Sequence, residues 1–223
     1  MKTKHIIMFM VRSMKIEYAE MMKWIRHNHP DQMDRWMDSL HPNQIICKQW
    51  LVESLNKVRI PQGNDDKFRI EIVGGWYGYP LIDLLHKHYS TYIREIDIFD
   101  IDKKACQFIN KYKQIFEHWN VRVFNQDWFT YKEKRRTHMI INTSCEHMWD
   151  MSMMKDCFES PDRTLLVLQS NNKTDEPDHV NCVNSCQELL EKNELKEIHG
   201  DWKRMNENTP DKYIRFMVMG KWK

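Results

Sequence analysis

The sequence predicts an α/β protein, a doubly wound and mostly parallel sheet with an antiparallel C-terminal edge and a small N-terminal helical cap. Three observations lead there. Along residues 61–223, short apolar runs alternate with segments of helical spacing; several of those runs stop abruptly at glycine, aspartate or asparagine; and the final two runs are separated only by a polar loop.

Taken in order, the opening stretch MKTKHIIMFMVRSMK places lysines before a short apolar run, but Arg12 and Lys15 interrupt it and no small-residue cleavage site follows. It reads as a first strand. Between residues 16 and 57 the apolar positions are helically spaced, as in Met21, Met22 and Ile25 and then Trp36, Met37 and Leu40, with breaks at His29-Pro30 and His41-Pro42. A cap of two or three helices is expected. The loop Pro61-Gln62-Gly63-Asn64-Asp65-Asp66 then divides the chain into a cap, residues 1–60, and a sheet domain, residues 61–223.

The first run of the sheet, Phe68–Val73, ends in Gly74-Gly75 and leads to a helical pattern through Leu81, Leu84 and Leu85. The second, 96–99, ends in Asp100-Ile101-Asp102 before a helix carrying Ala105, Phe108, Ile109, Tyr112 and Phe116. Three more strands follow at 121–124, 138–141 and 165–168, ending at Asn125-Gln126-Asp127, Asn142 and Gln169-Ser170, with helices expected around 149–158 and 182–190. Runs at 195–199 and 213–219 close the pattern as an antiparallel pair. Strand-helix alternation implies parallel pairing through right-handed crossovers, which is a Rossmann-like arrangement.

Composition excludes some classes. No apolar run approaches the roughly 20 residues that span a bilayer, so no membrane partner is expected. Six scattered cysteines lack a disulfide-framework spacing, which points to reduced thiols and a cytoplasmic protein. A net charge of +2 gives no electrostatic claim on nucleic acid. The run Lys132-Glu133-Lys134-Arg135-Arg136, with Trp24, Trp36 and Trp50 in the cap, keeps a nucleic-acid partner open as a secondary reading. Alanine occurs only at Ala19 and Ala105, a bias with no physical explanation here.

In such a sheet, ligands bind beyond the carboxyl ends of the strands. Gly74, Gly75 and Gly78 allow backbone to approach a ligand closely. Asp100, 26 residues after Gly74, stands where a carboxylate can accept from two ribose hydroxyls. Asp127 can take the exocyclic amine of an adenine, and Trp128 can stack on the base. The order Ile-Val-Gly-Gly-Trp-Tyr-Gly, Phe-Asp-Ile-Asp, Asn-Gln-Asp-Trp and Ile-Ile-Asn-Thr-Ser-Cys-Glu-His-Met resembles the class I S-adenosylmethionine-dependent methyltransferases over roughly residues 68–220. Within them it looks most like small methyltransferase-like proteins of tailed bacteriophages.

The resemblance implies S-adenosyl-L-methionine as cofactor and an unidentified oxygen or nitrogen acceptor. Gly74, Gly75 and Gly78, with Tyr77, would line the methionine portion; Asp100 and Ile101 would line the ribose, and Asp127 and Trp128 the adenine. Asn142 would open the loop between cofactor and acceptor. Trp76 stands where the usual glycine-alternating loop has its middle glycine, and Ile72 replaces the acidic residue two places before Gly74, with Glu71 one step further back. That departure leaves aminocarboxypropyl chemistry releasing methylthioadenosine, or a non-catalytic scaffold, as alternatives. The proline motif of amino-directed nucleic-acid methyltransferases is absent, because Thr143-Ser144 follows the fourth strand.

Methyl transfer needs an aligned nucleophile and, where that nucleophile carries a proton, a base. Glu146 and His147, beside Cys145 after the fourth strand, are the expected catalytic pair. The spacing His179-x2-Cys182-x3-Cys186 is not a strong zinc pattern, and no metal is assigned.

Overall fold

The computed structural model describes residues 15–133, 135–207 and 209–223, so the expected first strand lies outside the described residues. Within its described residues the cap holds three helices, α1 (Lys15–Asn28), α2 (Met33–Ser39) and α3 (Pro42–Leu55), with a 3-10 turn at Pro30–Gln32. Both proline breaks seen in the sequence begin a new helical segment. Proline lacks an N–H, which the first turn does not need, and the His41 ring accepts the exposed Asn43 N–H at 3.3 Å.

Among the described residues, seven strands form one sheet: β1 (Phe68–Val73), β2 (Ile93–Asp100), β3 (Val121–Asn125), β4 (Met139–Asn142), β5 (Leu165–Asn171), β6 (Leu195–Met205) and β7 (Tyr213–Trp222). Their order is β3-β2-β1-β4-β5-β7-β6. The first five pair in parallel, and β7 runs antiparallel to both β5 and β6. Helices α4 (Leu81–Tyr89) and α5 (Lys103–Ile115) cross from β1 to β2 and from β2 to β3, and α6 (Cys186–Lys192) precedes β6. The doubly wound, Rossmann-like sheet with its antiparallel edge is therefore present as the sequence predicts.

Strand alternation sorts the core onto two faces. Ile70, Ile72, Ile96, Ile98, Ile141 and Val167 join one cluster with α4, α5 and the cap residues Met21, Ile25, Trp36, Trp50 and Leu51. The cap thus shares its core with the sheet. Val73, Phe99, Ile140, Leu166, Leu168 and Val218 form the second cluster with Met151, Met154, Phe158 and α6.

Two local expectations change. The segment 149–158 forms a 3-10 helix, Met151–Cys157, in place of an α-helix. Met151 and Met154 are its buried positions, a spacing of three that suits the 3-10 repeat, and the side chain of Asn193 caps Met151 N–H at 2.7 Å. Strand β6 runs to Met205, well past residue 199, as an edge strand of mainly polar residues in which only Leu195 and Met205 are buried, so it carries no continuous apolar signal.

Among the described residues, no helix is long and apolar enough to cross a membrane. Trp36 and Trp50 are buried, Trp24 packs edge-on against Phe108, and Arg135 points inward over Trp128, Tyr131 and Phe158. Trp36, Trp50 and Arg135 are thus interior, whereas Lys132, Glu133 and Arg136 are exposed.

Candidate active site

The site begins where β1 ends. Gly74 turns at φ +66°, and its N–H donates to Phe99 O at 2.9 Å, which ties the loop to β2. Gly75 lies directly on that strand, since a Cβ there would stand 2.2 Å from Ile98 Cγ2. Gly78 has φ +75°, and Trp76, at φ +46°, holds the left-handed conformation although it is not glycine.

What secures Trp76 is a hydrogen bond. Its N–H donates to Asp100 Oδ2 at 2.7 Å, while Asp102 N–H donates to Oδ1 at 2.8 Å. One carboxylate at the tip of β2 thereby holds both loops. Burial pushes Asp100 above the ordinary carboxylate value, against the pull of those two N–H groups and of Arg35. Asp102 caps α5 by accepting from Lys104 N–H and Ala105 N–H, and it pairs with Arg35 of the cap at 2.7 Å.

A pocket of about 720 Å³ opens over these strand ends. Gly74, Gly75, Gly78, Asp100, Ile101, Asp127, Trp128 and His147 line it, so eight of the residues singled out in the sequence meet at one cavity. Ile101 is exposed at the rim. Asp127 caps the turn Trp128–Thr130 by accepting Phe129 N–H at 2.9 Å. Trp128 forms a buried wall, its indole N–H donating to Glu71 at 2.7 Å.

Three singled-out residues do not line the pocket. Tyr77 turns into the core between Trp36 and Phe108. Asn142 is fully buried and shapes the turn after β4, accepting Ser144 N–H at 2.9 Å with its amide against Met148 and Met151. Glu146 also points inward, where Arg215 of β7 pairs with it at 3.0 Å and Asn171 donates to the same oxygen at 2.7 Å. Cys145 is buried as well, and burial, with Glu146 beside it, pushes its thiol upward and keeps it protonated.

Sequence reasoning missed the cap's contribution. Asp38, Gln44 and Lys48 reach the same pocket. Burial, and secondarily the nearby Arg215 charge, push the Lys48 ammonium down to about 8, while Cys47 and Glu146 act in the opposite sense. No motif marks it; only its place on α3, one turn after Gln44 to which it donates, brings it there. The pocket's other side holds Met148 and the exposed Trp149.

By sequence, no family model and no curated protein matches this chain. Its fold does match solved structures. It resembles the N-methyltransferase NodS from Bradyrhizobium japonicum with a TM-score of 0.57 at 14% identity, over 83% of this chain and 99% of that one. Coclaurine N-methyltransferase bound to N-methylheliamine and SAH gives 0.61 at 10% identity, over 80% and 71%. The mitomycin 7-O-methyltransferase MmcR gives 0.57 at 10%, over 90% and 60%. What they share with this chain is the Rossmann-like fold.

Proposed function

We propose that the protein is an S-adenosylmethionine-dependent methyltransferase acting on an oxygen or nitrogen acceptor. The observation that carries this reading is the pocket at the carboxyl ends of β1 and β2, where the Gly74-Gly75 turn and Asp100 converge in a sheet of methyltransferase strand order. A carboxylate there still has lone pairs for ribose hydroxyls after accepting its two backbone N–H groups. The glycine turn lets the cofactor lie against backbone.

His147 serves the acceptor side of the pocket, and Glu146 supports the Cys145–His147 turn through Arg215. The narrower likeness to bacteriophage methyltransferase-like proteins and the cytoplasmic location belong to this proposal. Trp76 in the glycine loop favours one second reading: a displaced methionine tail would present a different carbon, giving aminocarboxypropyl transfer.

Calorimetry with S-adenosylmethionine and S-adenosylhomocysteine tests the cofactor, and absence of binding of both at millimolar concentration would sink the proposal. Asp100→Ala should weaken binding by about 1.5 to 3 kcal/mol through loss of charge-assisted hydrogen bonds. Chromatography of the nucleoside product separates the two chemistries, S-adenosylhomocysteine marking methyl transfer and methylthioadenosine the alternative.

A further inference from the structure

We propose that Glu146, His147 and His179 form a binding site for a divalent transition metal of zinc-like preference at the wall of the pocket. One ligating atom from each lies within 4.8 Å of the others. His179 comes from the connection after β5, and the other two from the Cys145–His147 turn after β4.

The carboxylate is the first argument. Glu146 Oε1 accepts from Asn171 and Arg215, whereas Oε2 is buried with no hydrogen-bond partner. An oxygen removed from water and given no donor is costly, and a cation satisfies it without a proton.

The imidazoles supply the second. His147 Nδ1 lies 3.2 Å from Asp178 O, and His179 Nδ1 lies 2.6 Å from Lys173 O. A carbonyl can only accept, so Nδ1 is the donor in each ring and Nε2 is the ring nitrogen left to face a metal. Imidazoles that bind metal are held in this way, with the far N–H given to a carbonyl or carboxylate. The two rings stand 4.6 Å apart at 80°, approaching from different directions.

Donors around a tetrahedral zinc lie about 3.4 Å apart, given ligand distances near 2.1 Å. The remaining closure falls to rotation of the His147 and His179 rings, both of which retain solvent exposure. Arg215 and Lys48 oppose a cation here, and the carboxylates of Glu146 and Asp178 offset them; Asp178 Oδ2 lies 3.2 Å from His147 Nδ1. The thiols that the sequence placed near His179 are turned elsewhere. Cys182 Sγ donates to Lys173 O on the Nδ1 side of the His179 ring, and Cys186 Sγ donates to Asp201 O.

Two imidazoles and one carboxylate leave a coordination position open, and His147 directs it toward the pocket. A metal there would polarise an acceptor oxygen and ease loss of its proton, a role that rests on the methyl-transfer reading, whereas the site itself does not.

The test titrates Co²⁺ into the full chain without S-adenosylmethionine, following visible absorption, with Zn²⁺ as competitor. Binding of about one Co²⁺ per chain, displaced by Zn²⁺, is expected. His147→Ala and His179→Ala should each weaken it at least tenfold, while His88→Ala on the exposed end of α4 leaves it unchanged. Both site variants replace side chains on surface turns, and circular dichroism checks their folding. No saturable Co²⁺ binding by the parent chain, or undiminished binding by folded His147→Ala and His179→Ala, overturns the site. Cofactor calorimetry on the same samples reports the methyltransferase reading separately.

Discussion

Replacing Lys48 with methionine should stabilise the protein at neutral pH. The ammonium is buried on α3 near Arg215, and its pKa falls from 10.5 to about 8. Its charged form is therefore disfavoured in the folded state by about 3 kcal/mol, the free energy of a shift of about 2.5 pH units. The sign follows from proton counting. Below pH 8 both folded and unfolded chains hold the proton and the full penalty applies; between about 8 and 10.5 the unfolded chain binds more protons, so stability rises with pH. Methionine keeps the stem and the volume but withdraws the donor from Gln44, which borders the pocket and can take water instead, at about 1 kcal/mol. Lys48→Met should thus gain about 2 kcal/mol at pH 7, and the gain should vanish as pH approaches 10.5. Urea unfolding of parent and variant across pH 7 to 10.5 measures the difference, in which cysteine and tyrosine titrations common to both cancel. A variant less stable than its parent at pH 7, with an unchanged difference across that range, would refute the reasoning.

Arg135→Met should cost about 3 to 5 kcal/mol by leaving the buried Glu71 carboxylate with only its Trp128 and Thr137 donors. Burial already pushes Glu71 upward, so the loss should shrink at acid pH as Glu71 takes a proton, which denaturant titration at two pH values would show. Gly75→Ala should cost about 1 to 3 kcal/mol, because the new Cβ meets the branched and fully buried Ile98, and thermal unfolding should register it. Glu146→Gln should lower the melting temperature by removing the carboxylate charge opposite buried Arg215; an unaltered melting temperature would show that the pair contributes nothing.

The mostly parallel sheet was legible because each parallel strand is an apolar run that stops where its polar end meets the ligand edge: Val73 before Gly74, Phe99 before Asp100, Ile141 before Asn142. Residues at those ends could be named from position, but sequence does not state which way a side chain turns. Tyr77 and Ile101 both follow strand ends; Tyr77 enters an aromatic cluster while Ile101 faces solvent, a choice made by Trp36 and Phe108 from distant segments. Glu146 and His147 are adjacent, yet only His147 lines the pocket, since Arg215, 69 residues away, holds the Glu146 carboxylate in the interior. Lys48 was invisible as a site residue because only the docking of the cap against the sheet brings α3 to the pocket. Strand β6 was underread because its solvated residues give no apolar period.

The place of β7 bears on how the chain comes together during synthesis. Latest of the seven strands in chain order, it lies between β5 and β6. Until residues 213–222 leave the ribosome, the edge of β5 has no partner, and every one of its seven residues is of the kind that ends up buried. An open edge of that length, apolar from Leu165 to Leu168, is a template for pairing with another chain. Crowded polysomes translating this message should therefore favour aggregation in that interval, and a chaperone that shields β5 until β7 arrives should raise the yield of folded protein more than one acting on the cap.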